Sequence, residues 1–102
     1  LQDASKAETS AVVRERVCAA RNRQHERSPN INARLSAEEV ARFCELDEAS
    51  KKFMLRAEQK LGLSARAHHR LIKIARTIAD LAGDKSISLA HLQEAIMYRG
   101  DQ

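Results

Sequence analysis

Residues 63–78 read Leu-Ser-Ala-Arg-Ala-His-His-Arg-Leu-Ile-Lys-Ile-Ala-Arg-Thr-Ile, and their pattern decides the fold of this chain. Apolar and basic residues recur at spacings of three and four, which places the two kinds on opposite sides of a helix. The predicted apolar side comprises Ala67, Leu71, Ile74, Ala75, Ile78 and Leu81. The predicted basic side comprises Arg66, His69, Arg70, Lys73 and Arg76. The sequence therefore predicts an amphipathic helix from about residue 65 to 82, with one face against a core.

The first turn of this helix carries a cation where helices prefer anions. Ser64 precedes the helix and is a residue type that caps helix N termini. Arg66 lies in the first turn, beside the positive end of the helix dipole, where a cation is locally unfavourable. The same place suits a bound anion such as phosphate. Arg66 is therefore a candidate phosphate-binding residue, and the alternative is a solvated first-turn arginine.

The composition favours an all-α fold. The chain has 102 residues, which fits one domain, and 43% of them are hydrophobic, enough to form a core. Only 3% are aromatic, so that core must be aliphatic. Helix-forming residues are abundant, whereas a single proline and three glycines interrupt the chain. No alternating apolar run is long enough for a sheet, and we predict an all-α bundle of four to five helices.

Start and stop signals predict four further helices. The first covers residues from about 10 to 27 and has a weakly apolar stripe, which consists of Val13, Val17, Ala20 and Gln24. The third is predicted to bury Ala49, Phe53, Ala57 and Leu61. The start signals are Ser36 with Glu39, Asp47 and Ser88, and the stop signals are Gly62 and Gly83. Because the weak stripe buries little by itself, we expect the first helix to dock on something else.

The positive charge is concentrated in one segment. The net charge is +4, and residues 14–34 account for all of it with six arginines and two glutamates. A local basic patch points to an anionic partner, such as DNA phosphates or an acidic protein surface. A solvated helix face is the alternative. Aromatic residues do not interleave with these arginines, so stacking on single-stranded bases is not indicated.

Several kinds of chemistry find no support in the sequence. A glycine-rich phosphate loop, a catalytic carboxylate pair and a metal-ligand spacing are all missing, so we expect neither catalysis nor a metal in this chain alone. Cys18 and Cys44 are isolated and are expected to be small buried thiols of a reduced, cytoplasmic protein. No membrane-spanning run is apparent. The chain begins at Leu1, so we expect a piece of a longer protein.

The decisive stretch resembles a known family. Residues 62–81 look like the C-terminal domain of magnesium-chelatase-like AAA+ ATPases, of the YifB and competence-protein ComM type. The resemblance continues through residues 91–95 and covers roughly residues 10–99. We therefore predict a helical lid domain at 10–99, a flexible N-terminal segment at 1–9 and a tail at 100–102. His68 is a departure, because relatives usually have tyrosine there.

The resemblance implies a part in a larger enzyme. In such ATPases a separate αβα core carries the phosphate loop and the acid that holds Mg²⁺, and a helical lid closes over the nucleotide. The residue that matches the lid's sensor-2 arginine, which reaches the γ-phosphate, is Arg66. ATP and Mg²⁺ are thus expected cofactors of the full-length parent, an ATPase, and not of this fragment. The expected partners are the parent's own AAA+ core, further copies in a homo-oligomeric ring, and DNA, on which ComM-like relatives act in branch migration.

Other basic residues are weaker site candidates. One hypothesis is that they contact phosphate, a neighbouring subunit or DNA, and the alternative is that they form the solvated side of their helices. These residues are Arg70, Lys73, Arg76, Arg14, Arg16, Arg21 and Arg23. Two further hypotheses for the function of the whole chain stay open. One is a stand-alone basic module that binds nucleic acid, and the other is a protein-interaction bundle without a ligand.

Overall fold

The computed structural model describes residues 9–28 and 30–98. Within these ranges the elements are α1 (Ser10–Arg27), a 3₁₀ turn (Asn32–Arg34), α2 (Ala37–Phe43), α3 (Glu48–Leu61), α4 (Ala65–Ala82) and α5 (Leu89–Met97). The prediction of an all-α domain is confirmed. The predicted flexible segment at 1–9 lies outside the described residues apart from Thr9, and the predicted tail at 100–102 lies outside them entirely.

The helix ends follow the local signals in the sequence. Ser36 and Glu39 form a reciprocal capping box at the start of α2, with the two bonds at 3.1 and 2.9 Å. The Asp47 carboxylate accepts the Ser50 N–H at 2.8 Å and so caps α3. Gly83 ends α4 in the left-handed conformation, with φ at 80°. These caps agree with the boundaries that the sequence predicts.

The centre of the domain is α4, which packs against α1, α2, α5 and the 3₁₀ turn. The core is aliphatic, as predicted, and its buried members are Leu35, Val40, Cys44, Met54, Leu71, Ile72, Ala75, Ile87, Leu92 and Ala95. The described residues contain one isolated parallel bridge, between Leu46 and Ile87, which joins the segments that precede α3 and α5. The core therefore draws on every element except α1 and the 3₁₀ turn.

Two helix faces differ from the prediction. Arg76, expected on the basic side of α4, is buried, and Ile72 is buried beside it. The cause is that α4 contacts α1, α2 and α5, so its buried arc is wider than the apolar stripe alone. In α3 the buried residues are Ser50, Met54 and Ala57, whereas Ala49 and Leu61 are exposed. The inner face of α3 is therefore rotated by about one residue from the predicted stripe.

The first helix is buried along only part of its length. Ala20 and Gln24 are buried, whereas Val13 and Val17 remain 39% and 43% exposed. The C-terminal half of α1 thus lies against the body of the domain, and its N-terminal half is exposed. The predicted stripe is confirmed in its second half only.

Candidate anion-binding site at the start of α4

The start of α4 presents an arginine that has no partner among the described residues. The Ser64 hydroxyl accepts the Ala67 N–H at 3.1 Å, so the predicted N-cap is confirmed. Arg66 is exposed, and its guanidinium makes no hydrogen bond or ion pair with the described residues. The first turn of α4 contains no acidic residue. A cation at a helix N terminus whose first turn carries no acidic residue makes this turn attractive to an anion, although the Glu58 carboxylate of α3 contacts His68 nearby.

Arg66 opens into a groove beside the connection between α3 and α4. We call it the α3–α4 groove; its volume is about 430 Å³, and it is lined by Leu61, Gly62, Leu63, Ser64, Arg66, Ala67, Arg70, Leu71 and Ile74. Arg66 and Arg70 are one turn apart on α4 and supply its two charges. The backbone turns sharply at the edge of this groove because Gly62 has a φ of 65°. The groove therefore combines apolar walls with two guanidinium groups.

A second groove follows the neighbouring side of α4. We call it the α2–α4 groove; its volume is about 750 Å³, and it is lined by Ala33, Ala37, Arg66, His69, Arg70, Lys73, Ile74, Thr77 and Ile78. Arg66 and Arg70 line both grooves. Lys73 is half-buried, and its ammonium donates to the Ala33 carbonyl at 3.5 Å. The structure thus brings Arg66, Arg70 and Lys73 together on one side of α4.

Arg76 does not belong to this basic surface. Its guanidinium is 3% exposed and donates to the carbonyls of Lys85 and Asp84, at 3.0 and 2.9 Å. It also lies 3.1 Å from the Asp80 carboxylate. Burial lowers the pKa of Arg76, and the charge of Asp80 opposes that shift. The prediction that Arg76 lies on the solvent-exposed side of α4 is wrong, because this side chain donates hydrogen bonds to carbonyl groups of the loop that follows the helix.

The predicted arginines of α1 divide into two groups. Arg14, Arg16 and Arg21 are exposed. Arg23 instead donates to the Asp80 carbonyl at 2.8 Å, across the contact between α1 and α4. Arg23 therefore joins α1 to α4, although its side chain is exposed like those of the other three.

Sequence reasoning missed a buried polar cluster around Asp80. This carboxylate is fully buried and accepts two bonds from Arg27, at 2.6 and 3.2 Å. The Asn32 amide donates to it at 2.9 Å, and Arg76 contacts it from the preceding turn. We call Arg23, Arg27, Asn32, Arg76 and Asp80 the Asp80 cluster. One signal was available, since Arg76 and Asp80 are four residues apart, which is the spacing of helical ion pairs.

The histidines form local contacts. His91 is buried; its Nε2 lies 2.9 Å from Asp84 Oδ2, and its Nδ1 accepts the Ser88 N–H at 2.8 Å. The latter bond satisfies the backbone N–H of Ser88, the N-cap residue of α5. His68, the departure from the family pattern, contacts the Glu58 carboxylate and so joins α4 to α3. The described residues contain no group of three His, Cys, Asp or Glu side chains that could hold a metal ion.

The cysteines differ from each other. Burial raises the pKa of the Cys44 thiol, although the nearby charges of Arg76 and Arg27 act in the other direction. Cys44 is a small buried thiol, as predicted. Cys18 is exposed, so its predicted burial is wrong, because it lies in the N-terminal half of α1, which is exposed.

No helix in the described ranges is long and apolar enough to cross a lipid bilayer.

Comparison with known proteins agrees with the resemblance seen in the sequence. The chain is 50% identical over 92 residues to competence protein ComM of Haemophilus influenzae, which covers 90% of this chain and 18% of that protein. It is 47% identical over 98 residues to YifB of Salmonella typhimurium, with 96% and 19% covered. Against YifB of Escherichia coli it is 46% identical over 92 residues, with 90% and 18% covered.

The chain thus spans about a fifth of the length of these relatives. A family model described as magnesium chelatase, subunit ChlI C-terminal, matches residues 7–99. That match takes in all five helices of the described structure. The chain therefore belongs to the magnesium chelatase ChlI C-terminal family.

Proposed function

We propose that this domain is the nucleotide-sensing lid of a magnesium-chelatase-like AAA+ ATPase, and that Arg66 is its sensor-2 arginine. The observation that carries the proposal is the guanidinium of Arg66, which is exposed at a capped helix start and has no partner among the described residues. Such a group is free to bind a ligand at no cost to internal bonds. The domain by itself supplies a sensor and not a complete active site.

Phosphate chemistry fits this position. A guanidinium donates to two phosphate oxygens in a planar, bidentate arrangement and keeps its charge at any physiological pH. During phosphoryl transfer it stabilises the charge that develops on the transferred group. Arg70 lies one turn further along and lines the same groove, so it adds positive potential there. In the parent, ATP and Mg²⁺ would be held by the core domain, and Arg66 would reach the terminal phosphate from the lid.

The lid role also explains how ATP could drive motion. A lid that binds phosphate in one state and releases it in another changes its position relative to the core. We extend the proposal to a cytoplasmic, ring-shaped parent that acts on DNA, as the ComM-type resemblance implies. Exposed Arg14, Arg16 and Arg21 on α1 provide positive charge for contact with DNA or with a neighbouring subunit. A stand-alone DNA module is the weaker candidate, since Arg23 and Arg27 of the same segment are used for internal bonds.

The test is steady-state ATPase activity of the full-length parent, wild type against Arg66→Ala, with and without branched DNA. We expect turnover to fall about 10²-fold, which is typical for loss of one charge-stabilising group. Arg56→Ala is the matched control, because Arg56 is exposed on α3 and lines neither groove. Turnover that matches the control, in a protein that is still folded, would reject the role of Arg66.

A further inference from the structure

We propose that the α2–α4 groove is a docking site for an amphipathic peptide helix whose flanks carry aspartate or glutamate. This inference goes beyond the nucleotide role, which concerns the phosphate contact of Arg66. It concerns a partner that lies along α4. The proposal rests on the length of the groove, its apolar floor and its positively charged rim.

The groove has the length of a short helix. It follows α4 from Arg66 to Ile78, a distance of about 18 Å at 1.5 Å per residue. A partner helix of about twelve residues matches that length. The opposite wall begins at Ala33 and Ala37, whose small side chains allow another backbone to come close. A helix that lies in such a groove buries one stripe of residues spaced three and four apart.

The floor of the groove is apolar. Ile74 and Ile78 are half-buried: they pack against the core and also line the groove. Burial of their remaining exposed surface by a partner is favourable in proportion to the apolar area removed from water. A partner therefore needs an apolar stripe of its own, which a nucleic-acid backbone lacks. The groove also has no aromatic side chain on which a base could stack.

The rim of the groove is positive. Arg66, His69, Arg70 and Lys73 line it, and no aspartate or glutamate is among the lining residues. Carboxylates on the flanks of a docked helix would meet this potential, which steers association and fixes orientation. A basic or neutral helix would leave the arginines uncompensated. The charge thus selects an acidic partner among the amphipathic helices that fit.

Lys73 separates this inference from the nucleotide proposal. Arg66 and Arg70 line both grooves, whereas His69, Lys73 and Thr77 line only the α2–α4 groove. A variant at Lys73 therefore disturbs the docking surface and leaves the proposed phosphate contact in place. A variant at Arg66 disturbs both. The two proposals can fail independently when Lys73 is used for one and Arg66 for the other.

The test uses a fluorescein-labelled synthetic helix of fourteen residues, with leucines along one face and glutamates on both flanks. Its binding to this chain is followed by fluorescence anisotropy at low and at high salt. The control peptide replaces every glutamate with lysine. We expect saturable binding of the acidic peptide, weaker binding at high salt because the rim charges are screened, and no binding of the control.

Protein variants then locate the site. Lys73→Glu should weaken binding of the acidic peptide about tenfold or more, which corresponds to about 1.4 kcal/mol. His69→Glu is a second variant on the same rim. Lys52→Glu is the matched control with the same change of charge, because Lys52 is exposed on α3 outside the groove. All variants are first compared with wild type by circular dichroism to establish that they fold.

Three results would overturn the proposal. The first is no binding of the acidic peptide to the folded wild-type chain. The second is equal loss of binding in Lys73→Glu and Lys52→Glu, which would indicate attraction to net charge alone. The third is a duplex DNA that binds in a Lys73-dependent way while the acidic peptide does not, since the groove would then be a nucleic-acid surface.

Discussion

At the first turn of α4 the guanidinium of Arg66 is exposed and bonds to none of the described residues. Near the other end of the same helix, Arg76 and Asp80 are 3% and 0% exposed and lie among hydrogen bonds from α1 and the 3₁₀ turn. Both ends carry arginine, yet only Arg76 pairs its terminal guanidinium nitrogens with described residues, while its Nε has no partner among them. The difference separates charges that are paired inside the fold from a charge that is exposed and unpaired among the described residues.

The Asp80 cluster is the stabilising end. Two guanidinium groups share one carboxylate, so removal of that carboxylate leaves positive charges close together in a poorly solvated place. The cost of breaking a buried ionic group in this way is greater than the net gain of having formed it. Arg66, in contrast, does not stabilise the fold, since a cation beside a helix N terminus lowers stability a little.

The largest expected effect is that of Asp80→Ala. It leaves Arg27 and Arg76 without their shared partner, and we expect the free energy of unfolding to fall by about 3–5 kcal/mol. Urea unfolding followed by circular dichroism measures this. Glu94→Ala, an exposed acid on α5, is the control and should change stability little. A loss for Asp80→Ala no larger than that control would show that the cluster does not stabilise the fold.

A smaller effect is expected for Gly83→Ala at the C-terminal end of α4. Gly83 has a φ of 80°, which costs a residue with a Cβ about 1–2 kcal/mol. A Cβ at this position would lie 3.6 Å from Arg23 Nη2, an ordinary contact, so the expected cost is that of the backbone. Gly83→Asn should lose less, because asparagine tolerates this conformation better. Equal losses for alanine and asparagine in urea unfolding would point to a steric cause instead.

At the opposite end, Ser64→Ala removes the cap of α4. The Ala67 N–H then loses its acceptor, and we expect a loss of about 1 kcal/mol in thermal or urea unfolding. Ser64→Asp keeps an acceptor and adds a favourable charge at the helix start, so it should retain wild-type stability or exceed it. A destabilised Ser64→Asp would mean that repulsion from the nearby Glu58 carboxylate, which contacts His68, outweighs the gain from the new acceptor.

The smallest effect, and the one of opposite sign, is expected for Arg66→Glu. Replacement of the cation by an anion at the start of α4 should raise the free energy of unfolding by about 0.5 kcal/mol. Arg56→Glu on α3 makes the same change of charge away from a helix start and serves as the control. A clear destabilisation by Arg66→Glu, relative to that control, would show that Arg66 has a structural partner after all.

The sequence predicts the parts of this fold that depend on neighbours in the chain. The caps at Ser36, Asp47 and Ser64 involve residues three positions away, so their signals are local and readable. The position of Arg66 at a capped helix start also follows from such a local signal. For this reason the helix boundaries and the exposed place of the candidate residue follow from sequence alone.

The Asp80 cluster could not be predicted in the same way. Arg27 and Asp80 are 53 residues apart, and their contact exists only after α1 has packed on α4. The rotation of α3 has a related cause. Stripes through Phe53 and through Met54 are both compatible with a helical period, and packing against α5 decides between them. Side-chain burial at such positions depends on how the helices cross.

The bonds from Arg23 and Arg27 to Asp80 also make α1 a lever arm. They fasten the C-terminal end of α1 to α4, while residues 10–18 of α1 are exposed. With 18 residues, α1 is about 27 Å long. A rotation of α4 by about 10° would then carry the start of α1 through roughly 5 Å, given that length. Small tilts of the helix that bears Arg66 would therefore be magnified at Thr9.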